Sequence, residues 1–113
     1  MPGKTEVELL IFIKRNGLQL LGPGTIALLR QLQISDSLRR AAKELHMSYQ
    51  HAWTVIDEMN KAAPSPVVVK QRGGTGGGGA LLTDFGRRML VEYKIIETEV
   101  HRFVNRINTE MNL

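Results

Sequence analysis

Two short segments with helical periodicity lie only a few residues apart, and their pairing restricts the fold more than any other feature of the sequence. Apolar residues recur every three or four positions in both segments, as in helices with one buried face. The two stripes consist of Leu38, Ala41, Ala42 and Leu45, and then of Ala52, Ile56 and Met59. Short side-chain oxygens cap helices, so Ser35-Asp36-Ser37 predicts the start of the first helix and Ser48 that of the second, over 48–60. The small residues at 41 and 42 allow a close crossing, which predicts a helix-turn-helix.

The residues before these helices predict a β-hairpin and one further helix. Apolar residues alternate with others from Val7 to Ile13, as in a strand, and Asn16-Gly17 is a strong signal for a tight turn. The stretch from Leu18 to Leu21 would form the returning strand. After Gly22-Pro23-Gly24, apolar residues at helical spacing predict a helix over 24–33.

The residues after the helix pair predict a second hairpin, over 66–82, with a glycine-rich tip. Val67-Val68-Val69 is β-branched and favours a strand, and Ala80-Leu81-Leu82 would form its partner. Glycines at 74, 76 and 79 also match the spacing of a dinucleotide-binding loop, but such a loop opens directly into a helix within a βαβ unit. The intervening strand favours a wing instead, whose glycines let the backbone approach a ligand closely.

A long amphipathic segment over 84–109 predicts the last helix, capped by Thr83. Its apolar stripe continues for about six turns, which is longer than a small core can cover. The stripe consists of Phe85, Met89, Tyr93, Ile96, Val100, Phe103 and Ile107. We therefore expect pairing with a second copy of the chain through Tyr93, Ile96, Val100, Phe103 and Ile107. The alternative is a helix folded back over its own domain, and Val91, Ile95 and Val104 keep this alternative open because they widen the apolar face.

These elements predict the order β-β-α-α-α-β-β-α within a single domain over 1–113. The fold class is therefore α+β, mostly α. Its architecture would be a winged helix-turn-helix with an N-terminal β-hairpin and a long C-terminal dimerisation helix.

The charge balance favours a polyanionic partner. The sequence contains fifteen Lys and Arg but only eleven Asp and Glu, which gives a formal net charge of +4 and a pI near 9.8. The chain has no cysteine, which excludes disulfides, thiolate zinc sites and a cysteine nucleophile. No signal peptide or membrane span is expected, so the predicted location is the cytoplasm.

A winged helix-turn-helix places one polar helix face in the major groove of double-stranded DNA. Residues on the outward N-terminal face of the second helix are candidates for base contacts: Ser48, Tyr49, Gln50 and Thr54. Candidates for contacts with the DNA backbone are Arg39, Arg40, Lys43, Lys70, Arg72, Gly74, Thr75 and Gly76. Trp53 lies beside this face; we predict that it packs at the edge of the core or under the wing, with a DNA contact as the alternative.

No group of residues predicts catalysis. His46, His51 and His101 lack metal-ligand spacing, and the adjacent Asp57 and Glu58 point in different directions on a helix. We therefore expect neither an enzyme nor a metal site nor a cofactor.

The stretch from Ala41 to Asn60, AAKELHMSYQHAWTVIDEMN, resembles the N-terminal domain of the molybdate-responsive regulators of the ModE family. Its Ser-Tyr, Ala-Trp and Glu-Met-Asn elements match the family pattern, and so does the glycine-rich stretch before Leu82-Thr83 and Gly86. The resemblance implies a dimeric winged-helix transcription regulator that binds DNA through the helix from Ser48 and through the wing. In full-length members molybdate binds a separate C-terminal domain, so molybdate is not expected to bind this chain.

One residue departs from the usual helix-turn-helix pattern. His46 occupies a turn position at which many such motifs carry glycine, so we expect His46 to adopt a positive φ.

The predicted function is that of a DNA-binding transcription regulator of the ModE/LysR-like winged-helix type, which binds duplex DNA as a homodimer. The helix over 48–60 would lie in the major groove, and the wing over 66–82 would contact the flanking backbone. The alternative is a winged-helix module for protein interaction without specific DNA binding.

Overall fold

The computed structural model describes residues 3–71 and 79–111 and confirms the predicted order of elements. The fold is α+β and mostly helical, with two small antiparallel sheets. The elements are β1 (Ile13–Arg15), β2 (Leu18–Leu21), α1 (Pro23–Ile34), α2 (Leu38–Glu44), α3 (Tyr49–Ala62), β3 (Val68–Gln71), β4 (Gly79–Leu82) and α4 (Asp84–Glu110). Helices α1, α3 and α4 begin and end within about two residues of the predicted bounds, and α2 follows the predicted cap at Ser37.

The first hairpin turns at Asn16 and Gly17, which both have the positive φ that a tight hairpin turn requires. The prediction of a strand from Val7 is wrong, because β1 begins only at Ile13. The segment before it runs along α4 instead. The Tyr93 hydroxyl donates to the carbonyl oxygen of Ile11 at 3.2 Å, and the Asn108 side chain bonds both backbone polar groups of Val7.

The turn between α2 and α3 is held by backbone hydrogen bonds and by a cap. His46 has φ of +55°, as expected from its place in the turn. The Met47 amide donates to the carbonyl oxygen of Ala42 at 3.0 Å, which ends α2 tightly. The Ser48 hydroxyl then accepts the His51 amide at 3.0 Å and so caps α3.

One hydrophobic cluster joins the helices and both hairpins. Ala41 and Ala42 are buried in this cluster, and α2 packs against both α1 and α3. Each fully buried leucine or isoleucine side chain contributes about 1.5–3 kcal/mol relative to exposure. The largest fully buried side chains are Leu21, Ile26, Leu28, Leu29, Leu32, Leu38, Ile56, Met59, Val67 and Val68.

The second hairpin is fixed at its base by contacts with both neighbouring helices. The Asn60 side chain, in the last turns of α3, accepts the Val67 amide at 2.8 Å and donates to the carbonyl oxygen of Val68 at 2.9 Å. On the other side, the Ala80 amide donates to the carbonyl oxygen of Asp36, just before α2. The orientation of β3 and β4 relative to α2 and α3 is therefore determined by hydrogen bonds as well as by packing.

The last helix begins directly against the second hairpin and then extends beyond the core. The Thr83 hydroxyl accepts the Gly86 amide at 2.9 Å, which confirms the predicted cap. The first turns of α4 bury Met89, Leu90 and Tyr93. Further along, Glu97 pairs with Arg30 of α1 at 2.9 Å. The 27 residues of α4 span about 40 Å, which accounts for much of the 57 Å length of the molecule.

Candidate nucleic-acid interface

Helix α3 separates an apolar face from a polar one. Ala52 and Ile56 are 0% exposed, whereas Ser48, Gln50 and Thr54 face the solvent. Tyr49 is half-buried at the border of the two faces. Three of the four residues predicted to contact bases are thus exposed together at the N-terminal end of one helix, and the fourth lies beside them.

The polar groups of this face keep hydrogen-bonding capacity. The Thr54 hydroxyl donates to the carbonyl oxygen of Gln50 at 3.1 Å, which leaves its oxygen able to accept. Within residues 3–71 and 79–111, no protein group bonds the side-chain amide of Gln50. This amide can therefore offer a donor and an acceptor side by side to a ligand.

Two cations lie over the aromatic rings of α3. The guanidinium of Arg39, from α2, lies 4.1 Å from the ring centroid of Tyr49. The Lys70 ammonium, from β3, lies 4.6 Å from the ring centroid of Trp53. The two rings meet edge to face, with centroids 6.3 Å apart. These four residues form a row across three elements, which we call the cation–aromatic row.

The position of Trp53 confirms the packing interpretation. Its side chain is half-buried, packs against the hydrophobic cluster and lies under Lys70 at the base of the second hairpin. Its spacing of four from Tyr49 indicates a contact on one helix face. The cation partners of the two rings were not predicted, because Arg39 and Lys70 come from other elements.

The remaining predicted backbone contacts divide into two groups. Arg40 and Lys43 are exposed on α2, on the side opposite its buried alanines. Arg72, Gly74, Thr75 and Gly76 lie outside the described residues.

The residues predicted to form a dimer do not share one environment. Tyr93 is only 3% exposed, because its ring packs in the core of its own chain. Ile96 and Phe103 are exposed, and Phe103 retains 46% of its accessible surface. Val100 and Ile107 are half-buried.

Val91 and Ile95 do not widen the stripe that contains Tyr93. Two residues along a helix turn it by about 200°, so these side chains point away from Tyr93. Both are exposed, Val91 by 59%. They form a separate apolar patch beside Arg30, Gln33 and Lys94, which line a shallow groove with them.

The two groups with shifted pKa values, Tyr93 and Glu97, lie where α4 packs against α1, away from α3. The hydrogen bond from Arg30 lowers the pKa of the Glu97 carboxyl below its ordinary value of 4.5. Burial raises the pKa of the Tyr93 hydroxyl above 10.0, and the nearby Glu97 charge acts in the same direction. Both groups serve the packing of α4 rather than the polar face of α3.

The described residues contain neither a cluster of metal-binding side chains nor a helix that could cross a membrane. Over 3–71 and 79–111, no cluster of three or more His, Cys, Asp or Glu could hold a metal ion. None of the helices in the same ranges combines the length and the apolar character that crossing a membrane requires.

The chain is similar to several proteins that carry molybdenum-related names, although no family model matches it. It is 42% identical over 77% of its length to the molybdenum transport protein ModE of Azotobacter vinelandii. It is 36% identical over 87% of its length to the transcriptional regulator ModE of Haemophilus influenzae. It is 33% identical over 91% of its length to the molybdenum-pterin-binding protein MopB of Rhodobacter capsulatus.

The similarity covers most of this chain but only part of each relative. The matched regions are 32%, 39% and 38% of these three proteins. The chain therefore spans only about a third of the length of the ModE and MopB proteins to which it is similar.

Proposed function

We propose that this chain is a transcription regulator that binds double-stranded DNA as a homodimer through a winged helix-turn-helix. In this proposal the chain is a single domain over 1–113. Helix α3, from its cap at Ser48, enters the major groove, and the hairpin over 66–82 lies on the flanking backbone as a wing. Helix α4 provides the contact with a second copy.

The observation that carries the proposal is the exposed polar face at the start of α3. A helix that reads bases needs an apolar face toward its own core and hydrogen-bonding side chains toward the groove. Gln50 fits this role, because an amide can donate to and accept from one adenine edge, with a discrimination of about 1–3 kcal/mol. Ser48, Tyr49 and Thr54 lie next to it and are proposed to contact the same few base pairs.

Positive charge on both sides of α3 supports the proposal. Arg39, Arg40 and Lys43 belong to α2, and Lys70 belongs to β3. Groups at such positions neutralise phosphates and fix the orientation of a protein on the duplex. Arg72, Gly74, Thr75 and Gly76 enter the proposal on their sequence positions at the tip of the wing.

The names of similar proteins support a role in transcription. The H. influenzae ModE and a 35% identical protein of Escherichia coli are named as transcriptional regulators. The region that they share with this chain includes the whole α2–α3 pair, since it covers 80% or more of the chain.

The exposed apolar side chains of α4 support the homodimer. Ile96 and Phe103 lie seven residues apart, which places them on one face of the helix. The half-buried Val100 and Ile107 border the same face. We propose these four residues, without Tyr93, as the contact with a second copy, which would present two copies of α3 to one duplex.

A second candidate function is a protein-interaction module. The patch of Val91 and Ile95 favours it, because these apolar side chains are exposed in a shallow groove between α4 and α1 instead of packing in the core. This candidate predicts association with protein and indifference to DNA.

Selection of bound sequences from a random pool of short duplexes tests the two candidates. The DNA-binding proposal predicts an enriched motif whose affinity falls as salt rises. Gln50→Ala should relax the preference at one position, whereas Arg40→Gln should weaken binding to all sequences alike. Lys61→Gln is the matched control, because Lys61 lies at the other end of α3, about 18 Å along the helix axis from Tyr49. Absence of duplex binding at low salt would reject the proposal in favour of the interaction module.

A further inference from the structure

The cation–aromatic row joins the three elements that the proposed function brings to DNA. Arg39 belongs to α2, Tyr49 and Trp53 belong to α3, and Lys70 belongs to β3. The cation distances of 4.1 Å and 4.6 Å lie within the range in which the negative face of an aromatic ring attracts a cation. The edge-to-face contact of the two rings holds them at fixed relative positions.

The hydrogen-bond donors of both cations stay available in this arrangement. A guanidinium that stacks on a ring keeps its N–H groups directed outward in its own plane, and an ammonium has three donors around one nitrogen. In the part of the chain that the structure describes, neither Arg39 nor Lys70 forms an ion pair. The rings therefore restrict where the charges lie without occupying the groups that bind an anion.

This restriction matters because long cationic side chains lose rotamer freedom when they bind. An unrestrained Lys or Arg on the surface samples many rotamers, and ordering it opposes association. A cation already held over a ring has lost part of that freedom in the free protein. The backbone beneath is held as well, by the burial of Ala41 and Ala42 in the core and by the Asn60 hydrogen bonds to Val67 and Val68.

We infer that Tyr49 and Trp53 are positioning residues, which hold Arg39 and Lys70 over their rings so that the phosphate contacts on both flanks of α3 are set before DNA arrives. The inference rests on the proposed function. It assigns Tyr49 a role through its ring, beyond any contact of its hydroxyl with a base or a phosphate. It also gives Trp53 a part in DNA binding without a contact to DNA.

A double-mutant cycle on Trp53 and Lys70 tests the inference. Duplex affinity is measured for the wild type, Trp53→Leu, Lys70→Gln and the double variant, with Lys61→Gln as the charge control. Trp53→Leu should weaken binding about two- to fivefold, the range of an exposed cation–π contact, on every sequence alike. Lys70→Gln should then cost less in the Trp53→Leu background than in the wild type.

The conservative variant separates positioning from a purely structural role. Trp53→Phe keeps a ring under Lys70 and should recover most of the lost affinity and most of the coupling. Additive effects of Trp53→Leu and Lys70→Gln, with wild-type binding intact, would overturn the inference and leave the proposed function standing. A wild type that binds no duplex would overturn both.

The Tyr49 side chain provides a second, independent arm. Tyr49→Phe keeps the ring and removes the hydroxyl, whereas Tyr49→Leu removes both. The inference predicts that Tyr49→Leu binds about two- to fivefold more weakly than Tyr49→Phe, because only the leucine variant lacks the ring under Arg39. Equal losses in the two variants would assign the effect to the hydroxyl and overturn the role of the ring.

A measurement of proton chemical shifts in the DNA-free wild type tests the arrangement even if Trp53→Leu folds poorly. A ring shifts the proton resonances of a group that lies over its face to higher field. The Lys70 side-chain protons next to the ammonium should therefore resonate at higher field than those of Lys61. Identical shifts for the two lysines would contradict the arrangement itself.

Discussion

The α-carbon of Gly86 lies so close to the carbonyl oxygen of Val67 that a Cβ atom at position 86 would come within 3.0 Å of that oxygen. The close approach occurs where the first turn of α4 crosses the start of the second hairpin. A backbone carbonyl that is anchored by the Thr83 amide and hydroxyl cannot yield easily. Glycine is therefore required at position 86 because a larger side chain would clash with Val67, and not because of its φ angle.

Gly86→Ala should lower the free energy of unfolding by about 1–3 kcal/mol, as overpacking does in a tight contact. The loss should appear although alanine favours a helix over glycine by about 1 kcal/mol. Gly24→Ala is the control, because a Cβ at this helical position meets nothing within 4 Å. It should leave stability unchanged or raise it. Chemical denaturation measures both variants, and a stabilised Gly86→Ala would contradict the prediction.

Asn60→Ala should also destabilise the fold. The Asn60 side chain bonds the backbone of Val67 and Val68, and its removal leaves these partly buried groups without their partner. A loss of about 1–3 kcal/mol is expected. Asn105→Ala, on the exposed side of α4, should stay within about 0.5 kcal/mol of the wild type. Equal unfolding midpoints for the two variants would show that the Asn60 hydrogen bonds contribute nothing to the stability of the fold.

Acid should weaken the attachment of α4 to α1. The hydrogen bond from Arg30 lowers the pKa of Glu97 in the folded chain below the ordinary value of 4.5. A lowered folded pKa means that the stabilisation is present above the unfolded pKa and is lost as the pH falls through the folded pKa. The stability of the wild type should therefore fall below about pH 4.5 more steeply than that of Glu97→Gln. Parallel stability curves from pH 7 to pH 3 would rule out this linkage.

Phe103→Asp should disrupt the proposed homodimer without unfolding the chain. The Phe103 side chain is 46% exposed, so a carboxylate there stays hydrated in the monomer but would be desolvated in an apolar interface. Light scattering should show a monomer across micromolar concentrations. Val91→Asp, on the other side of α4, should leave the dimer intact. If Val91→Asp alone dissociates it, the second copy binds the opposite face.

Patterns local in sequence predicted most of the fold, and contacts distant in sequence account for the errors. Asn16-Gly17 and the caps at Ser37, Ser48 and Thr83 act within a few residues, so the sequence reveals them. The alternation from Val7 to Ile13 predicted a strand. Such a pattern carries no information about which part of the chain the segment contacts. The partners of this segment are Tyr93 and Asn108, more than 80 residues away.

The candidate site shows the same division. The period of α3 was enough to predict which face carries Gln50 and Thr54, because Ala52, Ile56 and Met59 define the buried side. The cation–aromatic row depends on rotamers and on the crossing of three elements, which no local pattern encodes. Tyr93 was assigned to a dimer contact because its place in the stripe does not reveal whether the covering surface belongs to the same chain.

The pairing of Val7 with Asn108 joins two segments from opposite ends of the sequence. The Val7 amide donates to the Asn108 side chain at 2.6 Å, and that side chain donates to the carbonyl oxygen of Val7. Fraying of the final turns of α4 should therefore release the Val7 end of the segment before β1 as well, while Tyr93 still holds Ile11. Hydrogen exchange at the Val7 amide would therefore report the opening of the last turn of α4, which lies about a hundred residues away in the sequence. A single amide resonance would measure the local opening of both chain ends.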